Sequence, residues 1–182
     1  SLIIEPNTVL GIQKIKAIEE EEDFEMYQLI CQILKDASYI HYEISNFAKK
    51  GYESKHNTTY WNNDYYYGFG LGASSYIEPD RIENTRSLNK YLEGSYRKQK
   101  EQVSLKDKIE YEVILNLRKK EGINLSTFKE KYHKELNKCY NYQDLVIEDL
   151  LKEEENHLFI PEDKWYISNE IIVRLLEREV YE

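Results

Sequence analysis

The densest chemistry in this sequence lies between Glu43 and Tyr76, where polar groups and large rings interleave with neither helical nor strand period, the pattern of a functional loop on a rigid scaffold. His56 has the widest range, because an imidazole ligates a metal or shuttles a proton near neutral pH. Asn57 beside it both donates and accepts hydrogen bonds, and Tyr60 and Trp61 add a phenol and a broad plate. Histidine and tyrosine are both axial ligands of heme iron in known proteins, which makes His56 a candidate metal ligand; the alternative is a purely structural histidine. Gly68, Gly70 and Gly72 follow three tyrosines. Glycine permits close backbone approach and positive φ, so Gly70 and Gly72 either cradle a ligand edge or make a tight turn beside a sheet. Their Gly-x-Gly-x-Gly spacing is not that of a dinucleotide site, and no βαβ fingerprint surrounds it. Ser74 and Ser75 lack His and Asp partners at diagnostic spacing, which argues against a serine hydrolase.

Elements on both sides must hold this segment. Upstream, Leu2–Ile4 reads as a strand closed by Glu5-Pro6-Asn7. The acidic run Glu19–Asp23 suits the positive end of a helix, on which Phe24, Tyr27, Cys31 and Leu34 share one face. Tyr39–Ile44 reads as a second strand, completing a βαβ unit. One such unit cannot cover both faces of its own sheet, so further strands are expected upstream. In a β/α barrel, Glu5, Glu43 and Ser45 lie near the C-terminal strand ends, the face where barrel sites are built; otherwise Glu5 and Glu43 are exposed loop carboxylates.

Downstream, Asn84–Gly94 predicts a short connecting helix. Ser104-Leu105-Lys106-Asp107 reads as a capping box for a helix with Leu105, Ile109, Val113 and Leu117 on its stripe and Gly122 at its stop. A second helix carries Phe128, Tyr132 and Leu136, and a third carries Val146, Ile147, Leu150 and Leu151. Leu158–Ile160 and Trp165–Ile167 predict a hairpin around Pro161–Lys164, and Ser168 or Asn169 caps a last helix holding Ile172, Leu175 and Leu176. Helices followed by a wing-like hairpin suggest a winged-helix module. Its third helix region holds Asp144, Glu148, Asp149, Glu153, Glu154 and Glu155, which would repel phosphates, so it reads as a packing or partner-binding module and not a DNA reader.

Composition bounds the remainder. The 182 residues carry a formal charge of -9 without a sustained basic patch, which argues against a nucleic-acid partner. Cys31 and Cys139 form no thiol motif and suit a reducing, cytoplasmic compartment. No apolar run approaches the ~20 residues of a membrane span. Seventeen tyrosines, many between residues 39 and 96, suit an interface, a flat aromatic ligand or a half-wet core.

The runs Tyr42–Ala48, Gly51–Trp61, Ser1–Thr8 and Gly68–Gly72 together resemble signatures of the HemW/HemN-like radical SAM family, and the likeness extends in weaker form through the tail. The resemblance implies an α/β plus α-helical fold: the C-terminal portion of an incomplete β/α (TIM-like) radical SAM barrel at residues 1–78, a connecting segment at 79–101 and a winged-helix-like C-terminal domain at 102–182. It implies a 4Fe-4S cluster and S-adenosylmethionine, but the Cys-x-x-x-Cys-x-x-Cys cluster motif is absent here, so the missing N-terminal barrel half becomes a required partner. The family divides into coproporphyrinogen III oxidases and heme chaperones that pass heme to an acceptor protein. The chaperone branch carries His-Asn-x-x-Tyr, which maps to His56, Asn57 and Tyr60 and implies heme as the ligand, with His56 on the iron. Glu43, Ser45, Gly70 and Gly72 join them as expected cofactor contacts. The family usually reads Gly-Ala-His-Ser where this chain has Gly72-Ala73-Ser74-Ser75, and Ser74 cannot replace an imidazole as a strong iron ligand. Oxidase activity and a purely structural half-domain are the competing readings.

Overall fold

The computed structural model describes residues 8–13 and 18–180. They fall into two compact units, one ending at Glu53 and the other beginning at Ser54.

In the first unit, α1 (Val9–Ile12) is capped by the Thr8 hydroxyl, which accepts the Gly11 N–H at 3.2 Å. The long helix α2 (Glu20–Asp36) opens on Glu20, Glu21, Glu22 and Asp23, carboxylates that complement the positive helix end. Phe24, Tyr27, Cys31 and Leu34 are its half-buried stripe, as their spacing predicts. β1 (Ile40–Glu43) turns through Ile44-Ser45 into β2 (Asn46–Ala48), and the two pair antiparallel with Ile40 opposite Ala48 and Glu43 opposite Asn46. β1 falls within the strand expected over Tyr39–Ile44, and its hairpin partner β2 is an element the sequence reading lacked. The polar Ser45-Asn46 pair folds the chain back on itself, so among the described residues the pairing β1 makes is a local hairpin. The proposed first strand, Leu2–Ile4, and Glu5 lie outside the described residues.

The second unit starts with a helix where a loop was expected. Ser54 caps α3 (Lys55–Trp61), its Oγ accepting the Asn57 N–H at 3.3 Å. An extended stretch then leads into an antiparallel meander of β3 (Ser74–Ile77), β4 (Asp80–Asn84) and β5 (Arg97–Gln102), with α4 (Leu88–Leu92) between the last two strands. The connecting helix is therefore shorter than Asn84–Gly94 and is flanked by strands the sequence reading lacked.

The remainder packs around one apolar core. α5 (Leu105–Asn116) has the expected capping box, with Asp107 N–H on Ser104 Oγ at 3.1 Å and Ser104 N–H on Asp107 Oδ2 at 3.2 Å. Ile109, Val113 and Leu117 are buried, but Leu105 in the first turn is exposed. Gly122 stops this region at φ +66°, where a Cβ would stand 2.1 Å from the Leu158 carbonyl oxygen. β6 (Ile123–Asn124) leads into α6 (Leu125–Tyr132), which ends at His133 in the left-handed region, so Leu136 belongs to the separate α7 (Leu136–Cys139). Phe128, Tyr132 and Leu136 are all buried nonetheless. The third helix is only α8 (Gln143–Ile147): Leu145 is its buried residue, Ile147 is exposed, and Asp149 with φ +57° prevents extension to Leu150 and Leu151.

The hairpin is also corrected. It joins β7 (Lys152–Glu154) to β8 (His157–Phe159) through Glu155-Asn156, both at positive φ as a two-residue hairpin turn of the I′ type requires. β6 pairs on the other side of β8. Trp165–Ile167 is not a strand but the end of a 3₁₀ helix (Glu162–Ile167), held by the buried Trp165 indole N–H donating to Ile160 O at 2.8 Å. The final helix α9 (Ser168–Leu176) buries Ile171, Ile172 and Leu175 and begins without a side-chain cap.

Candidate functional site

The first unit holds Glu43 and Ser45. Alternation along β1 buries His41 and Glu43 on one face. His41 stacks on Phe47 at 3.9 Å between ring centroids, with Tyr27 of α2 at 6.4 Å. Glu43 is 0% exposed, and neither carboxylate oxygen has a hydrogen-bond partner among the described residues. A buried carboxylate in that state is fit to accept from a donor or a cation. Ser45 sits exposed in the hairpin turn.

The second unit holds the other candidates. One helical turn separates His56 from Tyr60 on α3, and their rings meet edge to face at 4.8 Å and 84°. His56 is exposed, whereas Asn57 and Tyr60 are half-buried. Tyr60 in turn contacts Tyr66 at 4.5 Å. Burial holds the Tyr66 phenol above its usual range, so it stays a neutral donor at physiological pH. Thr58 and Thr59 turn their hydroxyls back onto the Ser54 and Lys55 carbonyls, both at 2.9 Å, which satisfies the hydroxyls within the helix. The Trp61 indole N–H is buried without a hydrogen-bond partner among the described residues.

A polar cluster that sequence reasoning missed fixes the far end of α3. Asn63, buried and at φ +55°, donates to Glu112 Oε2 at 3.3 Å and accepts from Arg81 at 3.3 Å. Glu112 is buried on α5 and also receives the Tyr132 hydroxyl at 2.9 Å and Lys131 Nζ at 2.7 Å. Lys119 Nζ donates to Asn62 Oδ1 at 2.6 Å, and burial lowers its pKa. The Arg81 guanidinium lies over Tyr76 at 4.5 Å and Tyr111 at 4.1 Å. One signal was available: Glu112 falls one position before Val113 on the α5 stripe, an odd place for a carboxylate without a partner.

Gly70 and Gly72 both adopt positive φ, +97° and +67°, as a turn needs. Space is not what demands glycine at Gly70, where a Cβ would meet nothing within 4 Å. The close approach is at Gly68, where a Cβ would stand 2.1 Å from the Ser74 carbonyl oxygen.

Residues 103–163 match the family model described as the HemN C-terminal domain. The chain is 35% identical to the heme chaperone HemW of Lactococcus lactis over 97% of its own length and 49% of that protein's. It is 35% identical to the heme chaperone HemW of Bacillus subtilis over 94% of its length and 48% of that protein's. It therefore spans about half the length of these relatives. Among solved structures it shares the fold of Escherichia coli coproporphyrinogen III oxidase (HemN), described as a radical SAM enzyme, with a TM-score of 0.70 at 15% identity, covering 93% of this chain and 45% of that one.

The cluster implied by a radical SAM fold does not fit the residues present. Cys31 and Cys139 are far apart in sequence, Cys139 is buried, and among the described residues no group of three His, Cys, Asp or Glu is placed to hold a metal ion. No described helix is long and apolar enough to cross a membrane. With its HemN C-terminal domain at residues 103–163, its identity to HemW along nearly its whole length and its HemN-like fold, the chain is a relative of the HemW and HemN proteins.

Proposed function

We propose that the protein carrying this chain binds heme and passes it to an acceptor protein. One observation carries the reading: His56 and Tyr60, the ends of the His-Asn-x-x-Tyr pattern, stand a helical turn apart with rings in contact at 4.8 Å, and His56 is open to an incoming ligand. They do so in a chain 35% identical along 97% of its length to a protein named as a heme chaperone. In this reading His56 gives its imidazole to the iron, Tyr60 packs against that ring and limits its rotation, and Asn57 supplies a polar contact beside it. Glu43, Ser45, Gly70 and Gly72 are assigned to cofactor contacts. Residues 1–78 then end an incomplete β/α barrel, 79–101 connect, and 102–182 form a winged-helix-like domain of a cytoplasmic protein. The cluster and S-adenosylmethionine are held chiefly by a barrel half that this chain does not supply. Replacing His56 by Ala in the intact protein is expected to shift the Soret band of the heme complex and weaken binding; an unchanged band and affinity refute the ligand assignment.

Oxidative decarboxylation of coproporphyrinogen III is a second reading, favoured by the fold shared with the Escherichia coli oxidase. Consumption of coproporphyrinogen III by the reduced intact protein with S-adenosylmethionine would establish it, and no product under verified reducing conditions would reject it.

A further inference from the structure

The stretch from Asp64 to Ala73 is fastened to the sheet along one side. Tyr66 exchanges both backbone hydrogen bonds with Tyr76 at 2.9 Å. The Gly68 N–H donates to Ser75 Oγ at 2.9 Å, Asn84 Nδ2 donates to Gly70 O at 2.9 Å, and the Gly72 N–H donates to Thr85 O at 2.9 Å. Gly68 lies too close to the Ser74 carbonyl for any side chain. With Tyr66 and Gly68 turned to the sheet, Tyr67 and Phe69 face outward; Leu71 is exposed in the turn between Gly70 and Gly72, and Tyr65 packs on Tyr76 at 5.2 Å. Tyr67 is 69% exposed and Phe69 is 88% exposed, and their rings lie within 21° of parallel at 6.4 Å. This exposure is built in, because a backbone held at four successive points cannot collapse to hide its rings. A fixed, exposed apolar ridge marks a binding surface.

A cation stands at one end of the ridge. Arg86 Cγ is 3.3 Å from where a Gly72 Cβ would be, and its side chain is 78% exposed. Its Nε is 3.4 Å from Glu83, but Lys98 holds Glu83 at 2.8 Å, so the guanidinium can turn to another carboxylate without leaving Glu83 unpaired. Beside the ridge in sequence, Tyr66, on the sheet side, contacts Tyr60 and Tyr60 contacts His56, at 4.5 and 4.8 Å between ring centroids. A flat apolar surface, a carboxylate-binding cation and an imidazole are the three complements of an iron porphyrin: a π face, peripheral carboxylates and a metal. We propose that Tyr67 and Phe69 cover the porphyrin plane and that Arg86 pairs with one of its carboxylates. The assignment rests on the heme reading of the same site and deepens it.

Iron-free protoporphyrin IX separates the two claims. The intact protein, a Tyr67→Ser/Phe69→Ser double variant, Arg86→Gln and His56→Ala are each titrated with hemin and with protoporphyrin IX. The double variant is expected to bind both about tenfold more weakly or worse with the Soret position of its hemin complex unchanged. Arg86→Gln is expected to weaken both by roughly three- to tenfold, and to have no effect on the porphyrin dimethyl ester. His56→Ala is expected to shift the Soret band while leaving protoporphyrin IX affinity intact. Wild-type affinity of the double variant for both porphyrins overturns the proposal while the heme reading stands; loss of heme transfer in that same variant would reassign the ridge to protein docking. Failure of the unaltered protein to bind either porphyrin overturns the heme reading together with this one.

Discussion

Glu112→Ala is the sharpest test of how α3 is held. The substitution removes the acceptor of the Tyr132 hydroxyl at 2.9 Å, of Asn63 Nδ2 at 3.3 Å and of Lys131 Nζ at 2.7 Å. Asn63 is buried, so its orphaned donor costs about 1–2 kcal/mol, whereas the buried Tyr132 hydroxyl keeps a weaker acceptor in the Lys108 carbonyl at 3.3 Å and loses about 0.5–1 kcal/mol. Burial, the largest cause of the upward shift of the Tyr132 phenol, persists without Glu112, so the hydroxyl stays protonated in the variant. Lys131 is 38% exposed at its side chain and rehydrates, which limits that ion pair to ~0–1 kcal/mol. A destabilisation of about 2 kcal/mol is expected. Glu112→Gln keeps one oxygen within reach of both buried donors and should cost about 1 kcal/mol. Urea unfolding followed by tryptophan fluorescence reads both, since Trp61 and Trp165 lie in this unit. Losses below ~0.5 kcal/mol for both variants, or equal losses for Ala and Gln, would refute the view that buried acceptors rather than charge hold the cluster together.

Two further outcomes follow from the geometry. Gly68→Ala drives a methyl into the Ser74 carbonyl and is expected to detach the tyrosine segment at a cost of about 1–3 kcal/mol, read as lost hydrogen-exchange protection at Tyr66 and Tyr76. Burial, aided by Glu153, pushes the Tyr142 phenol up to about 12. A folded-state pKa above the unfolded one stabilises the protonated form, so this contribution is fully present below pH ~10 and is lost as pH rises toward 12. Tyr142→Phe should flatten the fall of stability across that interval, and absorbance at alkaline pH should lose one late-titrating phenol; an unchanged slope would contradict the assignment.

Legibility followed how much of each element's stability is local and apolar. α2 and α5 were readable because their stripes and first turns obey helical rules unaided: the acidic opening of α2 and the Ser104–Asp107 box of α5 stand in the structure as they stand in the sequence. β4 and β5 were not readable because Asp80–Asn84 and Arg97–Gln102 alternate charges, not apolar residues. Their pairing is marked instead by Lys98–Glu83 and Lys100–Asp80 at 2.8 Å. The hairpin was misplaced for the same reason. Lys152–Glu154 has little strand propensity, and nothing about Glu155 announces a residue at positive φ, whereas Trp165-Tyr166-Ile167 has strong strand propensity and is overridden by one buried indole hydrogen bond. Of the candidate site, the residue types were legible and their mounting was not: α3 hides behind two threonines whose hydroxyls bond back to the helix.

That mounting bears on how the His56–Tyr60 pair keeps its geometry. A seven-residue helix is far too short to persist on its own propensity. Its start is fixed by Ser54, and its end by Asn62 and Asn63, which are gripped by Lys119 and Glu112. Both gripping residues lie within 103–163, the stretch matching the HemN C-terminal domain. The domain that carries no candidate ligand of its own thus holds the helix that does. A displacement of α3 must work against the hydrogen bonds of Glu112 and Lys119 at its far end. The helical domain is in this sense the mount of the candidate site, which explains why its contacts with Asn62 and Asn63 are polar and directional while its own interior is apolar.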